Sequence, residues 1–283
     1  MHMETYMESR SAAADAQDTG ASESASAILG GIVGGIMHGR VAVLTMQYPP
    51  HNLFDLALSQ ACIDALAWAE AQDARAIVLS SAMRHFSAGA DLNAIKNGLS
   101  EEDGKLMLKL LRAFREHPAP IIASVHGVCV GGGLEIALAC DFIVATASSK
   151  LGCVEPIVGL HPLMGAIQRI AQRAGESRAK EMAMFGRRYD AQTLERWNIV
   201  NRVVPDARLE SATMVLAQEL AAGPTVAHSA TKKLAAVAVS QGVEAADTAM
   251  LEIQKAVFAS KDFTNAVASY NERGPGFAMF EGR

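Results

Sequence analysis

The sequence predicts an α/β fold that gives way to an all-helical C-terminal region. Short continuous apolar runs, AIVLS (76–80), IIASVHG (121–127) and DFIVAT (ending at 146), recur between segments with helical apolar spacing. A run of that kind is the pattern of a strand buried on both faces, and its regular alternation with helices implies helices layered on a sheet. Beyond about residue 205 the strand signal stops, and 206–222, 224–238 and 243–273 read as helices.

Residues 1–26 are polar and aperiodic, which predicts a disordered tail ahead of an α/β core over 27–205 and a helical region over 206–283. Regular structure is expected from near Ile32. The stretch AILGGIVGGIM (27–37) is too short and too rich in glycine to cross a membrane; Gly31, Gly34 and Gly35 suit a loosely built first strand. A turn at His38-Gly39 leads into a strand over 40–46, which Tyr48-Pro49-Pro50 breaks. Apolar residues then recur at helical spacing over 53–72 (Leu53, Leu56, Cys62, Ile63, Leu66, Ala69). After the strand 76–80, a helix over 101–116 ends at Pro118 and Pro120, and GGGLEIALAC, ending at Cys140, reads as a helix opened by glycines.

Composition limits the function. Half of the 283 residues are hydrophobic and 19% are charged, enough apolar material for a sizeable core. A net charge of −5 argues against broad binding to nucleic acid, which needs a basic surface. Cys62, Cys129, Cys140 and Cys153 are scattered, without a CxxC pair or a metal-ligand cluster, so reduced cysteines in a cytoplasmic protein are expected, with no disulfide and no metal.

The chemistry is concentrated mid-chain. Between Glu116 and Arg169 the only charged side chains are Glu135, Asp141, Lys150 and Glu155. Glu135 sits among glycine, leucine and alanine, and Glu155 lies in LGCVEPIVGL with no cation beside it. A carboxyl group in apolar surroundings loses hydration, which raises its pKa and suits it to proton transfer. The competing interpretation is a structural glutamate paired with a cation from elsewhere in the chain. Gly131-Gly132-Gly133 opens a helix, where unpaired N–H groups can stabilise developing negative charge. A dinucleotide loop would instead place GxGxxG just after the first strand. In FSAGADL (86–92) small residues leave the Ala90 N–H accessible, and Asp91 is placed to cap the following helix. His126 and His161 read as structural residues, and Met164, Met182 and Met184 as core or pocket lining.

FSAGADL, followed by SVHGVCVGGGLEIALACD and then LGCVEPIVGLHPLMGAIQRI, resembles the crotonase (enoyl-CoA hydratase/isomerase) superfamily. PPHNLFDLAL, RYDAQTLERWNIVNRVVP and LAAGPTVAHSATKKL extend the similarity from about Ile32 to the C-terminus. The resemblance implies a crotonase-like spiral of ββα turns whose helical C-terminal region trimerises and covers the active site. It implies an oxyanion hole from the backbone N–H groups of Ala90 and Gly132, with Glu135 and Glu155 as the catalytic pair of a hydratase. Ser87, Ala88, Ala90, Asp91, Leu92, Gly131 and Pro162 would contact the acyl-CoA. Coenzyme A enters as part of the substrate, with no other cofactor, no nucleic-acid or membrane partner, and a homotrimer or dimer of trimers as the assembly. A Δ3,Δ2-enoyl-CoA isomerase is the alternative within the family; a non-catalytic acyl-CoA-binding or scaffolding relative is the alternative outside catalysis. The sequence departs from the family pattern in three places. Val154 precedes Glu155 where proline is usual, Leu163-Met164-Gly165-Ala166 replaces a glycine-rich GAGG, and Asn93 replaces a lysine.

Overall fold

A computed structural model describes residues 25–283. Most of the expected N-terminal tail, residues 1–24, lies outside them. Strand β1 (Ser26–Leu29) already pairs antiparallel with β2 (Val33–His38), so regular structure starts earlier than the expected Ile32. The glycine-rich stretch is thus a hairpin of two strands, with Gly30 and Gly31 in its turn.

β2 pairs with β3 (Val41–Met46) across the turn at His38-Gly39, and β3 runs parallel to β4 (Ala76–Ser81). β5 (Ile121–Val125), β7 (Phe142–Thr146) and β10 (Arg202–Val204) extend the parallel part, giving a seven-stranded sheet in the order β1-β2-β3-β4-β5-β7-β10. A small second sheet comprises β6 (Val128–Val130), β8 (Lys150–Gly152) and β9 (Tyr189–Asp190). Its strands are two or three residues long, too short to leave a periodic signal in the sequence.

The parallel strands are buried on both faces, as their unbroken apolar runs require. Ile77, Leu79, Ile121, Ala123, Ile143 and Ala145 face the main core with α1 (Leu56–Ala71), α3 (Glu101–Glu116) and α4 (Gly132–Ala139). The alternate residues Ala76, Val78, Ile122 and Val144 face a second cluster completed by Ala217 and Ala221 of α8 (Leu209–Ala222). Between these lie α2 (Leu92–Ile95), α5 (Ala166–Ala174), α6 (Glu176–Phe185) and α7 (Ala191–Arg196).

The last helices are α9 (Thr225–Gln241), α10 (Val243–Phe258) and α11 (Lys261–Arg273), in which Ala246 is the one buried apolar side chain among the described residues. Polar ties dock this region. Buried Arg75 donates to Gly223 O, to Thr225 Oγ1 and to Phe280 O, and Lys232 pairs with Asp141 at 2.8 Å. Among the described residues no helix is long and apolar enough to cross a membrane, and no acidic, histidine or cysteine cluster could hold a metal. The four cysteines are buried and free.

Candidate active site

Three chain segments meet at one cavity of about 290 Å³: the 88–90 loop, the N-terminus of α4, and the segment carrying Glu155 to Met164. The first is held by strand-like pairing. Phe54 N donates to Gly89 O at 2.8 Å and Asp91 N donates to Phe54 O at 2.9 Å. Successive peptide units of an extended chain point to opposite sides, so the intervening Ala90 N–H faces away from Phe54. Buried Asn52 fixes this loop from below, donating to Ser81 Oγ and to Phe86 O while accepting from Tyr48 N at 2.7 Å.

The second segment needs its glycines for separate reasons. Gly131 has φ +52, in the left-handed region that favours glycine, and a Cβ on Gly133 would lie 2.5 Å from Ser87 Cβ. Gly132 opens α4, where the first N–H groups have no acceptor within the helix. A Cβ on Gly132 would lie 3.6 Å from Ala90 N, so the two backbone segments stand face to face. Amides on backbone segments this close can converge on one oxygen atom.

One helical turn further, Glu135 is 2% exposed. Its Oε1 accepts from Met164 N at 2.6 Å and from Ala166 N at 3.2 Å. Burial pushes its carboxyl up to about 7; the amides of Ala166 and Met164 oppose the rise and the charge of Glu155 adds to it. Glu155 begins a 3-10 turn (Glu155–Val158) in which Pro156 occupies the first turn, where a missing N–H costs nothing. This accommodates the unusual Val-Glu-Pro order. Both carboxylate oxygens of Glu155 are shielded from solvent with no hydrogen-bond partner among the described residues, and burial raises its pKa. Neither glutamate forms an ion pair with a described residue, unlike Asp141 with Lys232. The structural interpretation of two cation-paired glutamates therefore does not hold.

Much of the remaining lining is apolar, with Leu92, Ile95, Leu99 and Met107 from the segments after the loop and Ile157, Val158, Leu160 and Leu163 from the segment after Glu155. Of the residues expected at the site, Ala88, Ala90, Leu92, Gly131, Gly132, Glu135 and Glu155 line the cavity. Ser87, Asp91 and Pro162 do not line it. The Ser87 hydroxyl is turned inward to donate to Asn52 O at 2.7 Å, and the Asp91 carboxylate caps α2 by accepting from Asn93 N at 2.8 Å. Pro162 is buried beside His161, whose Nδ1 lies 2.8 Å from Pro162 O. His126 Nε2 lies against Met83 O at 2.8 Å. Met164 lines the cavity, whereas Met182 is buried and Met184 exposed.

Sequence reasoning missed the amides of Met164 and Ala166 as the holders of Glu135, because a backbone donor leaves no side-chain signal. It also missed Arg188, which lines the cavity from just before β9 and makes no hydrogen bond or ion pair with a described residue.

The chain is similar to several known proteins. The enoyl-CoA hydratase/isomerase family matches residues 37–281. A Rhizobium meliloti (strain 1021) protein named "Probable enoyl-CoA hydratase" is 39% identical over 181 residues, 62% of this chain and 69% of its own. Carnitinyl-CoA dehydratase of Salmonella paratyphi A is 30% identical over 244 residues, 83% of this chain and 94% of its own. A crystal structure of an enoyl-CoA hydratase from Geobacillus kaustophilus HTA426 superposes with a TM-score of 0.82 at 26% identity, covering 89% of this chain and 97% of that one. The α/β sheet, the amide-lined cavity between Ala90 and Gly132, and these matches together place the chain in the enoyl-CoA hydratase/isomerase (crotonase) family.

Proposed function

We propose that the protein is an enoyl-CoA hydratase, adding water reversibly across the double bond of a 2-enoyl-CoA thioester. The observation that carries this reading is the pair of desolvated carboxyls, Glu135 and Glu155, neither in a salt bridge with a described residue, on the cavity that Ala90 and Gly132 also line. Water adding at the β-carbon of an enoyl thioester pushes negative charge onto the thioester oxygen. Two preorganised amides stabilise that charge, and in well-studied enzymes losing one such donor costs roughly 3–4 kcal/mol.

The glutamates supply the proton traffic. Because each raises the cost of ionising the other, the pair favours a state with one proton between them, and its titration belongs to both. The ionised member takes a proton from the attacking water. The neutral member gives one to the α-carbon as the enolate collapses. The roles reverse for dehydration, as microscopic reversibility requires. Ala88, Leu92 and Gly131 line the acyl-CoA path in this reading, Ser87 and Asp91 shape the loop behind it, and Pro162 supports the turn. Coenzyme A enters as part of the substrate, with no other cofactor. The reading also includes a cytoplasmic homotrimer or dimer of trimers, which sedimentation of the purified protein checks.

The test is loss of the enoyl-thioester absorbance of crotonyl-CoA. Glu135→Gln and Glu155→Gln, made singly, should each lower kcat by about 10²–10⁴, the usual worth of a general acid or base, with thermal unfolding and coenzyme A binding retained. Isomerisation of a 3-enoyl-CoA without hydration would replace this reading by the isomerase. Turnover surviving both changes would remove the glutamates from the mechanism, and coenzyme A binding without turnover of any enoyl-CoA would favour a non-catalytic relative.

A further inference from the structure

The cavity wall holds four carboxylic side chains and one cation. Two of the acids are already engaged: Asp55 caps α1 by accepting from Leu58 N and also accepts from Tyr48 OH, and Asp103 closes a capping box with Ser100. Glu135 and Glu155 remain, and the cation is Arg188. Its guanidinium is committed to none of them, and both glutamates keep raised pKa values, which an arginine in contact would have brought down. The preceding arginine, Arg187, is by contrast already placed over the Phe185 ring.

The Arg188 backbone is also fixed relative to the reacting centre. A Cβ on Gly152 would lie 3.1 Å from Arg188 Cα, and Gly152 O accepts from Gly131 N at 3.1 Å. Gly186 lies against Pro156 and Ile157 of the 3-10 turn. Arg188 therefore belongs to the wall that carries Glu155. In the hydratase reading the thioester oxygen sits at Ala90 and Gly132 and the α- and β-carbons meet the two glutamates, so an acyl group that extends along the Glu155 wall would come to Arg188. An unpaired, solvent-exposed guanidinium on the wall that also carries Ile157, Val158 and Leu160 matches a carboxylate in a bidentate, charge-assisted pair.

Resting on the hydratase reading, we propose that Arg188 is a specificity-determining residue that selects 2-enoyl-CoA substrates whose acyl group ends in a carboxylate. The chemical class is a monothioester of an unsaturated dicarboxylic acid. The reaction that supplies such a substrate is an α,β-desaturation of the saturated dicarboxylic thioester, and the hydrated product suits oxidation at its new hydroxyl.

The experiment compares two substrates of equal chain length, 2-hexenedioyl-CoA and 2-hexenoyl-CoA, on the wild-type protein, Arg188→Gln and Arg188→Lys. The wild type should prefer the dicarboxylic substrate in kcat/KM by at least about tenfold, the lower range for a charge-assisted hydrogen bond. Arg188→Gln should abolish the preference by lowering kcat/KM for 2-hexenedioyl-CoA about tenfold or more relative to 2-hexenoyl-CoA, and Arg188→Lys should restore part of it. A wild type that hydrates both equally, or a preference that survives Arg188→Gln, overturns this inference and leaves the hydratase reading intact. An equal rise in KM for both substrates assigns the arginine to the phosphates of coenzyme A and likewise overturns it. Hydration of neither substrate, or of crotonyl-CoA, overturns the parent reading instead.

Discussion

The two glutamates face one cavity from walls of opposite character. Glu135 stands on a buried helix with its Oε1 held by two backbone amides. Glu155 starts a four-residue 3-10 turn, between Val154 and Pro156, and neither of its oxygens has a partner among the described residues. The same walls differ in exposure: Leu134, Ile136 and Ala137 around Glu135 are fully buried, whereas Ile157 and Val158 after Glu155 are 72% and 49% exposed. One carboxyl is thus positioned by the core. The other is positioned by a short surface-facing turn and is free to meet what enters the cavity. Identical side chains can be given different tasks by the backbone that holds them.

The most severe way to break the contrast is to strike the helical wall at its amide end. A methyl group at Gly132 would lie 3.1 Å from Met164 Cε and 3.4 Å from Phe54 Cβ, crowding the space before the two N–H groups. Gly132→Ala should lower kcat by roughly 10²–10³, the worth of one oxyanion donor, with KM less affected in steady-state kinetics. An unchanged kcat would mean that the thioester oxygen lies elsewhere.

A somewhat smaller effect sharpens the contrast through stability. Burial raises the Glu135 carboxyl from 4.5 to about 7, so between those values the folded chain keeps a proton that the unfolded chain has released. Stability contributed by this group is complete below pH 4.5 and is lost as pH rises toward 7. The loss is roughly 3 kcal/mol at 1.36 kcal/mol per unit. Glu135→Gln, whose amide oxygen can still accept from Met164 N and Ala166 N, should therefore be more stable than the wild type at pH 8, with the gap closing by about pH 4.5. Denaturant unfolding across that range measures it. A gap that does not change with pH would show that Glu135 does not titrate as its burial demands.

The finest test shortens each carboxyl in turn. Glu135→Asp withdraws the group from amides that do not move, and a misplacement of about 1 Å can cost roughly 10²-fold in rate. Glu155→Asp has no such fixed partners to lose and should cost less than about tenfold. Parallel kcat measurements on crotonyl-CoA decide the matter; equal losses would erase the distinction between the walls.

Legibility in the sequence followed the same division. The α4 block was readable because a glutamate without nearby charges and a glycine triplet both leave marks in composition, and the parallel strands were readable because two-sided burial demands unbroken apolar runs. The small second sheet was not, since strands such as Tyr189–Asp190 are shorter than any period. The role of Asn52 as the tie beneath the 86–90 loop was hidden, because its partners Ser81 and Phe86 lie in later segments and only the fold brings them together. Ser87 and Asp91 do not line the cavity for a related reason: in this tight loop the Ser87 hydroxyl turns inward and the Asp91 carboxylate caps the next helix. Arg188 carried no signal because exposed arginines are common, and its place on the cavity wall depends on β8 and β9 pairing.

Gly132 and Glu135 are three positions apart on α4, which sets them one above the other along the helix axis, separated by about 4.5 Å at 1.5 Å per residue. The helix acts as a gauge block: in the proposed hydratase reading, the spacing between the amide that would receive charge and the carboxyl that would move a proton is a property of backbone geometry, insensitive to side chains elsewhere. Changes in the opposite wall can then alter which molecule is admitted, or what becomes of the enolate, without recalibrating how the enolate is made. That separability gives one scaffold room for hydration, dehydration and isomerisation by revision of a single surface turn.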